Sequence, residues 1–147
     1  MATENVYTVK AKSSHLTYEF ISEGPAGKIL KRVQFSLYDE NLNVYNLALG
    51  DVQADDELND AITTNNADVL KVLTTVAYCV HDFLDHYPDY SVFAAGNTLS
   101  RTRLYRIAIT NNLKFFPSGF YLYSLKNSHW LPFKSEMDCE AFLRKSL

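Results

Sequence analysis

Ala67-Asp68-Val69-Leu70-Lys71-Val72-Leu73-Thr74-Thr75-Val76-Ala77-Tyr78-Cys79-Val80-His81-Asp82-Phe83-Leu84 is the stretch on which the fold turns. Val69, Val72, Leu73, Val76, Val80, Phe83 and Leu84 recur at three- and four-residue steps. On a helix they form one apolar stripe, which must be covered by another element. Asn65 or Asn66 is placed to cap the N-terminus, and Asp68 in the first turn complements the helix dipole. Pro88 stops the helix.

Upstream, residues 16–23 alternate loosely between apolar and polar and read as a strand. Gly24-Pro25-Ala26-Gly27 turns the chain, since Gly supplies unusual φ and Pro fixes it. Ile29 to Tyr38 reads as the return strand. Ile29, Val33, Phe35 and Leu37 share one face, and Arg32, Gln34 and Ser36 the other. Leu30 and Lys31 break the alternation, so a bulge is expected there. After the turn Asp39-Glu40-Asn41-Leu42-Asn43, Val44 to Leu49 reads as a third strand. Three strands joined by short turns predict an antiparallel meander. Gly50 to Asn66 is an acidic, polar connection with no sustained period.

Downstream of the helix, Tyr90 to Ala95 reads as a short strand. A second helix is expected from about Leu99 to Asn111, capped by Thr98 or Ser100, with Leu104, Ile107 and Ala108 inward. Pro117-Ser118-Gly119 breaks the chain. Phe120 to Leu125 and His129 to Phe133 then read as a hairpin across Lys126-Asn127-Ser128. Glu136 to Arg144 is expected to be a final helix, capped by Ser135, with Met137, Ala141 and Phe142 on its inner face. No internal repeat, linker or low-complexity segment interrupts residues 1–147, which predicts a single domain. The expected fold is α+β. An antiparallel sheet, the N-terminal three-strand meander plus the later strands, packs with a long central helix, a second, arginine-bearing helix and a short C-terminal helix.

Apolar residues make up 47% of the chain and charged residues 21%, ordinary globular usage that does not favour disorder. The apolar segment Val69 to Leu84 is interrupted by Lys71, His81 and Asp82, so no membrane span and no membrane partner are expected. No basic flank precedes an apolar run near the N-terminus, and two cysteines, Cys79 and Cys139, make no disulfide framework. Both features predict a cytoplasmic protein.

The net charge of −3 hides a lopsided layout. Val33 to Leu70 holds eight acids, Asp39, Glu40, Asp51, Asp55, Asp56, Glu57, Asp60 and Asp68, and no Lys or Arg. Tyr90 to Ser135 holds six bases, Arg101, Arg103, Arg106, Lys114, Lys126 and Lys134, and no acid. Such asymmetry speaks of partners rather than of fold. The basic tract opens with Gly96-Asn97-Thr98-Leu99-Ser100-Arg101-Thr102-Arg103-Leu104-Tyr105-Arg106. This is a strand-to-helix transition, where free N–H groups and the dipole favour anions. Cations in a first helical turn oppose the dipole unless an anion sits there. Gly96, Asn97, Thr98, Arg101, Arg103 and Arg106 are therefore the candidate anion site, and the planar fork of Arg suits phosphate or carboxylate. Lys114, Lys126 and Trp130 are candidates for a basic rim and for base stacking. The plain alternatives are that the arginines pair with Asp51 to Asp60 and that the aromatics are core.

Other constellations carry less. Asp51, Asp55, Asp56 and Asp60 do not match an EF-hand loop and read as a solvated acidic loop. His81, Asp82, Asp85 and His86 give two i,i+4 pairs at the helix end but no third ligand cluster in sequence, so they read as a polar face. Gly24-Pro25-Ala26-Gly27-Lys28 lacks the spacing of a phosphate loop. No nucleophile elbow is present, and no cofactor or metal is expected.

Three segments carry a resemblance: Ile21-Ser22-Glu23-Gly24-Pro25-Ala26-Gly27-Lys28-Ile29; Thr64-Asn65-Asn66-Ala67-Asp68 with Lys71-Val72-Leu73; and Gly96-Asn97-Thr98 with Arg101-Thr102-Arg103-Leu104-Tyr105-Arg106. From about Tyr18 to Phe142 the chain resembles a family of small proteins of unknown function from Bacteroidetes-type bacteria. Ala67 stands where that family leads one to expect Gly, and Asn97 where Ser is expected. Both differences are expected to alter local backbone or capping only slightly. The resemblance implies a bacterial cytosolic protein and no particular activity. The residues themselves favour a non-enzymatic binding module for an anionic ligand, phosphate of nucleic acid or a nucleotide first. A protein-interaction module, antitoxin-like or immunity-like, that docks on an acidic or basic partner ranks second. An enzyme ranks third, because no acid/base or nucleophile set converges.

Overall fold

Apolar alternation before residue 60 and the helical period after it are both realised. The computed structural model describes residues 6–59, 66–95, 102–103, 105–107, 110, 120–134 and 141–146, with backbone alone at 59, 120–122 and 141–146. The order is β1 Lys10–Lys12, β2 Thr17–Gly24, β3 Gly27–Asp39, β4 Val44–Val52, β5 Leu58–Asn59, α1 Val69–His86, β6 Ser91–Ala94, β7 Phe120–Lys126, β8 His129–Pro132 and β9 Ala141–Ser146. Positions 102–103, 105–107 and 110 are helical. The fold is α+β, with mostly antiparallel strand pairing.

The chain forms two compact units that interleave in sequence: Met1–Phe35 with Ala48–Phe83, and Ser36–Leu47 with Leu84–Leu147. In the first unit β2 pairs antiparallel with β1 and β3, and β5 pairs antiparallel with β4. The β2–β3 register runs without a break from Thr17↔Gln34 to Gly24↔Gly27. The bulge expected at Leu30–Lys31 is therefore absent, and Lys31 keeps its place on the inner face beside Val33 and Phe35. Its ammonium is fully buried and donates to Asp51 Oδ1 at 2.6 Å. An inward charge with a distant counterion looks, in sequence, like a broken alternation.

Tyr18, Phe20, Val33 and Phe35 of the strands and Val72, Leu73, Val76, Cys79 and Phe83 of α1 are buried in the first unit. The Phe35 and Phe83 rings stack at 4.1 Å. Cys79, rather than the half-buried Val80, completes the stripe. Of the two caps expected at the helix N-terminus, only Asn66 falls among the described residues. Asn65 lies outside the described residues, and Asn66 is turned toward the β2–β3 hairpin. Asp68 is the first acceptor, through Val72 N–H to Asp68 O at 2.9 Å. Ala67 before it has φ 60°, the left-handed region that favours glycine.

In the second unit β4 pairs parallel with β6, β6 antiparallel with β9, β9 with β7, and β7 with β8. The expected C-terminal helix is corrected here. Residues 141–144 belong to β9, which is bonded along both edges, to β6 and to β7, while 135–140 lie outside the described residues. A strand whose backbone groups are satisfied on two sides outweighs a short helix signal resting on three apolar positions. The β7–β8 turn is Asn127-Ser128, with φ 52° and 65°, and Lys126 faces His129 across it. Two left-handed residues match the twist of a hairpin. Leu37, expected inward, is 53% exposed, and Ile107 is exposed as well.

Candidate functional site

Of the predicted anion site, Gly96, Asn97, Thr98 and Arg101 lie outside the described residues, as does Lys114 of the rim. Arg103 and Arg106 sit at helical positions of the second unit. Arg103 is exposed, while Arg106 is half-buried and held in contacts. Thr102 between Arg101 and Arg103 is buried. Lys126 and Trp130 sit on the β7–β8 hairpin, but the register Leu125↔Trp130 and Lys126↔His129 puts them on opposite faces. The rim and the stacking residue are therefore not one cluster.

Trp130 has aromatic company from elsewhere. Tyr38, at the end of β3, is 64% exposed and stacks on Phe93 of β6 at 5.1 Å, with the rings 9° from parallel. Phe93 meets Trp130, itself 40% exposed, edge-on at 6.0 Å. The register explains why Phe93 and Trp130 share a face. Phe93 is opposite Leu143, Leu143 opposite Tyr123, and Tyr123 opposite Pro132, two residues along from Trp130. Sequence reasoning named Trp130 but missed Tyr38 and Phe93, because three strands far apart in the chain had to be aligned first. A second aromatic run, Tyr45, Tyr90 and Tyr87, stacks at 4.7 and 5.0 Å in the same unit.

Two of the acids offered as internal partners of the arginines, Asp51 and Asp56, have bases of their own within the first unit. Asp51 accepts from buried Lys31. Arg32 donates to Asp56 Oδ1 at 2.8 Å and to Glu19 Oε2, and Glu19 also accepts from Lys12 at 2.5 Å. Burial pushes the Glu19 carboxyl up, but Lys12 and Arg32 outweigh it and hold the group below the usual carboxylate range. Burial depresses the Arg32 guanidinium, and Glu19 and Asp56 more than reverse that. The expected solvated acidic loop is thus tied down at Asp51 and Asp56 and open at Asp55 and Glu57.

Two carboxylates of α1 and its approach organise the rest of the first unit. Asp68 Oδ2 accepts from the hydroxyls of Tyr7 at 2.6 Å and Ser22 at 2.5 Å. Asp82 Oδ2 accepts from the Tyr18 hydroxyl at 2.6 Å and stands 3.1 Å from His15 Nδ1. Burial, then Asp82, push the Tyr18 phenol upward, so it stays a donor. Sequence reasoning saw Asp82 only with its helix neighbours. His15 reaches it because Ser13, Ser14 and His15 turn left-handed in succession, with φ 52°, 58° and 66°. Such residues cost about 1–2 kcal/mol each, which contacts such as this must offset. Cys79 is fully buried, and burial raises its thiol further from reactivity.

No helix among the described residues is long and apolar enough to cross a membrane. Neither a curated protein nor a solved structure matches the chain. A family model does, over residues 3–146, and on that match the chain belongs to DUF6934, a family of unknown function.

Proposed function

We propose that this protein is a non-enzymatic binding module whose second unit takes the phosphate of single-stranded nucleic acid or of a nucleotide, in the bacterial cytoplasm. The observation that carries the reading is the part-exposed aromatic path from Tyr38 through Phe93 to Trp130, in the same unit as the acid-free basic tract. Flat, part-exposed rings hold bases without reading sequence, at about 1–3 kcal/mol per stacked base. Charge is partitioned in the same sense. The first unit carries six Lys and Arg against ten Asp and Glu, and the second eight against seven. Arg103 and Arg106 are the phosphate contacts within the described residues, with Gly96, Asn97, Thr98 and Arg101 completing the site by sequence.

Trp130 is the chain's single tryptophan, so its fluorescence reports on the path directly. Titration with a short oligothymidylate at low salt is expected to quench it saturably. Tyr38→Leu should weaken binding by about 1–3 kcal/mol. A Trp130 signal indifferent to oligonucleotide and nucleotide alike would remove the reading. The second reading, a protein-interaction module, draws on β8, whose four residues are all exposed and include Trp130 and Leu131.

A further inference from the structure

β2 is longer than the strand beside it. Lys10–Lys12 of β1 cover only Thr17–Glu19, and β2 continues to Gly24. Because Gly24↔Gly27 closes a two-residue turn, Gly24, Ser22 and Phe20 spend their backbone groups on β3, and Glu19, Ile21 and Glu23 aim theirs the other way. Glu19 pairs with Lys10. The Glu23 N–H donates to the Tyr7 hydroxyl oxygen at 3.1 Å, and the Glu23 carbonyl oxygen lies 3.3 Å from it. Ile21 sits between them. Continued register would place Thr8 opposite it, but residues 7–9 leave the strand path and Tyr7 N–H goes to Thr75 Oγ1 on α1. Among the described residues nothing pairs with the outward N–H and C=O of Ile21.

That gap opens on a groove of about 510 Å³ lined by Tyr7, Lys10, Phe20, Ile21, Leu30 and Lys71 among others. Ile21 and Leu30 are 49% and 38% exposed, register partners on one face. Lys71 lies 4.2 Å from the centre of the Tyr7 ring, and neither it nor Lys10 has an acid in ion-pair range among the described residues. The two acids on the wall are engaged, Glu19 by Lys12 and Arg32, Glu23 by Lys28 at 3.8 Å.

We propose that this groove binds the C-terminus of an extended peptide. One ligand residue completes the ladder at Ile21, the free carboxylate lies between Lys10 and Lys71, and an apolar last side chain covers Ile21 and Leu30. The three requirements select together. A donor and acceptor at strand spacing and two ammonium groups, none of them paired among the described residues, ask for an amide and a carboxylate, and exposed branched aliphatics ask for an apolar side chain. A second copy of the chain would pair the edge without using the lysines, and a fatty acid would use the lysines without the backbone. This site lies in the first unit and does not rest on the nucleic-acid reading.

The test is an amide-shift titration of the full chain, labelled with nitrogen-15, by N-acetyl-Ala-Ala-Leu. Saturable shifts centred on Ile21 N–H are expected. The C-terminal amide of the same peptide, and Lys10→Gln or Lys71→Gln with the free acid, should each bind about tenfold more weakly, the loss of one charge-assisted hydrogen bond. Lys10→Gln should melt with wild type and Lys71→Gln close to it, since the Lys71 ammonium gives up only the contact over the Tyr7 ring. Equal binding of acid and amide overturns the proposal. So do shifts that follow protein concentration rather than peptide, saturation by dodecanoate but not by peptide, or no movement of Ile21 at millimolar peptide.

Discussion

Asn66 shows how one residue can hold a turn far from it in sequence. It is 1% exposed, accepts from Ala26 N–H at 2.7 Å and donates to Gly27 O at 2.8 Å and Ser22 Oγ at 3.2 Å. Gly24 exists for the same contact: a Cβ there would sit 2.0 Å from the Asn66 carbonyl oxygen. Gly24→Ala must therefore push the segment before α1 off the hairpin, and should cost several kcal/mol in chemical denaturation. A cost under about 0.5 kcal/mol, the scale of an ordinary surface change, would show that the approach is not so close. One residue on, Ala67 holds a left-handed φ that a side chain resists. Ala67→Gly should raise stability by about 0.5–1 kcal/mol, relief of strain less the added chain entropy; a loss would contradict that. The Gly-Pro-Ala-Gly turn was legible in sequence because it is local. The role of Asn66 was not, because a buried amide 40 residues from its partner reads like a helix cap.

At the scale of elements, period alone located α1, β2, β3, β4, β6 and the β7–β8 hairpin. It failed where pairing rather than pattern decides. Lys10-Ala11-Lys12 has no apolar signal, yet it is β1 because β2 offers it an edge. Ala141–Ser146 is β9 because two strands claim it. Lys31 looked like a defect in β3 because its counterion, Asp51, comes from the end of β4. That pair makes a sharp prediction. Asp51→Asn takes the carboxylate away from a fully buried ammonium and should destabilise by about 3–5 kcal/mol. Lys31→Met with Asp51→Leu removes both charges and should recover most of that loss. A double variant no better than the single would mean that the pair is not the reason Lys31 is tolerated.

Taken whole, the molecule divides its charge unevenly between its two units. The acidic first unit ties its own carboxylates to Lys12, Lys31 and Arg32, and the second keeps the basic tract and the part-exposed rings. The tract was legible because a run of 46 residues without an acid stands out in any reading. The aromatic path and the groove beside Ile21 were not, since each needs strands aligned in space. The salt dependence of oligothymidylate binding tests the central claim most directly. Each phosphate neutralised on a single strand contributes a slope of about −0.7 in log K against log salt. Arg103→Gln, at an exposed position, should flatten the slope by about 0.7 and leave the melting temperature unchanged, and Arg103→Gln with Arg106→Gln should flatten it by about 1.4. A slope that ignores both changes, or an oligonucleotide that does not bind at low salt, would contradict the account.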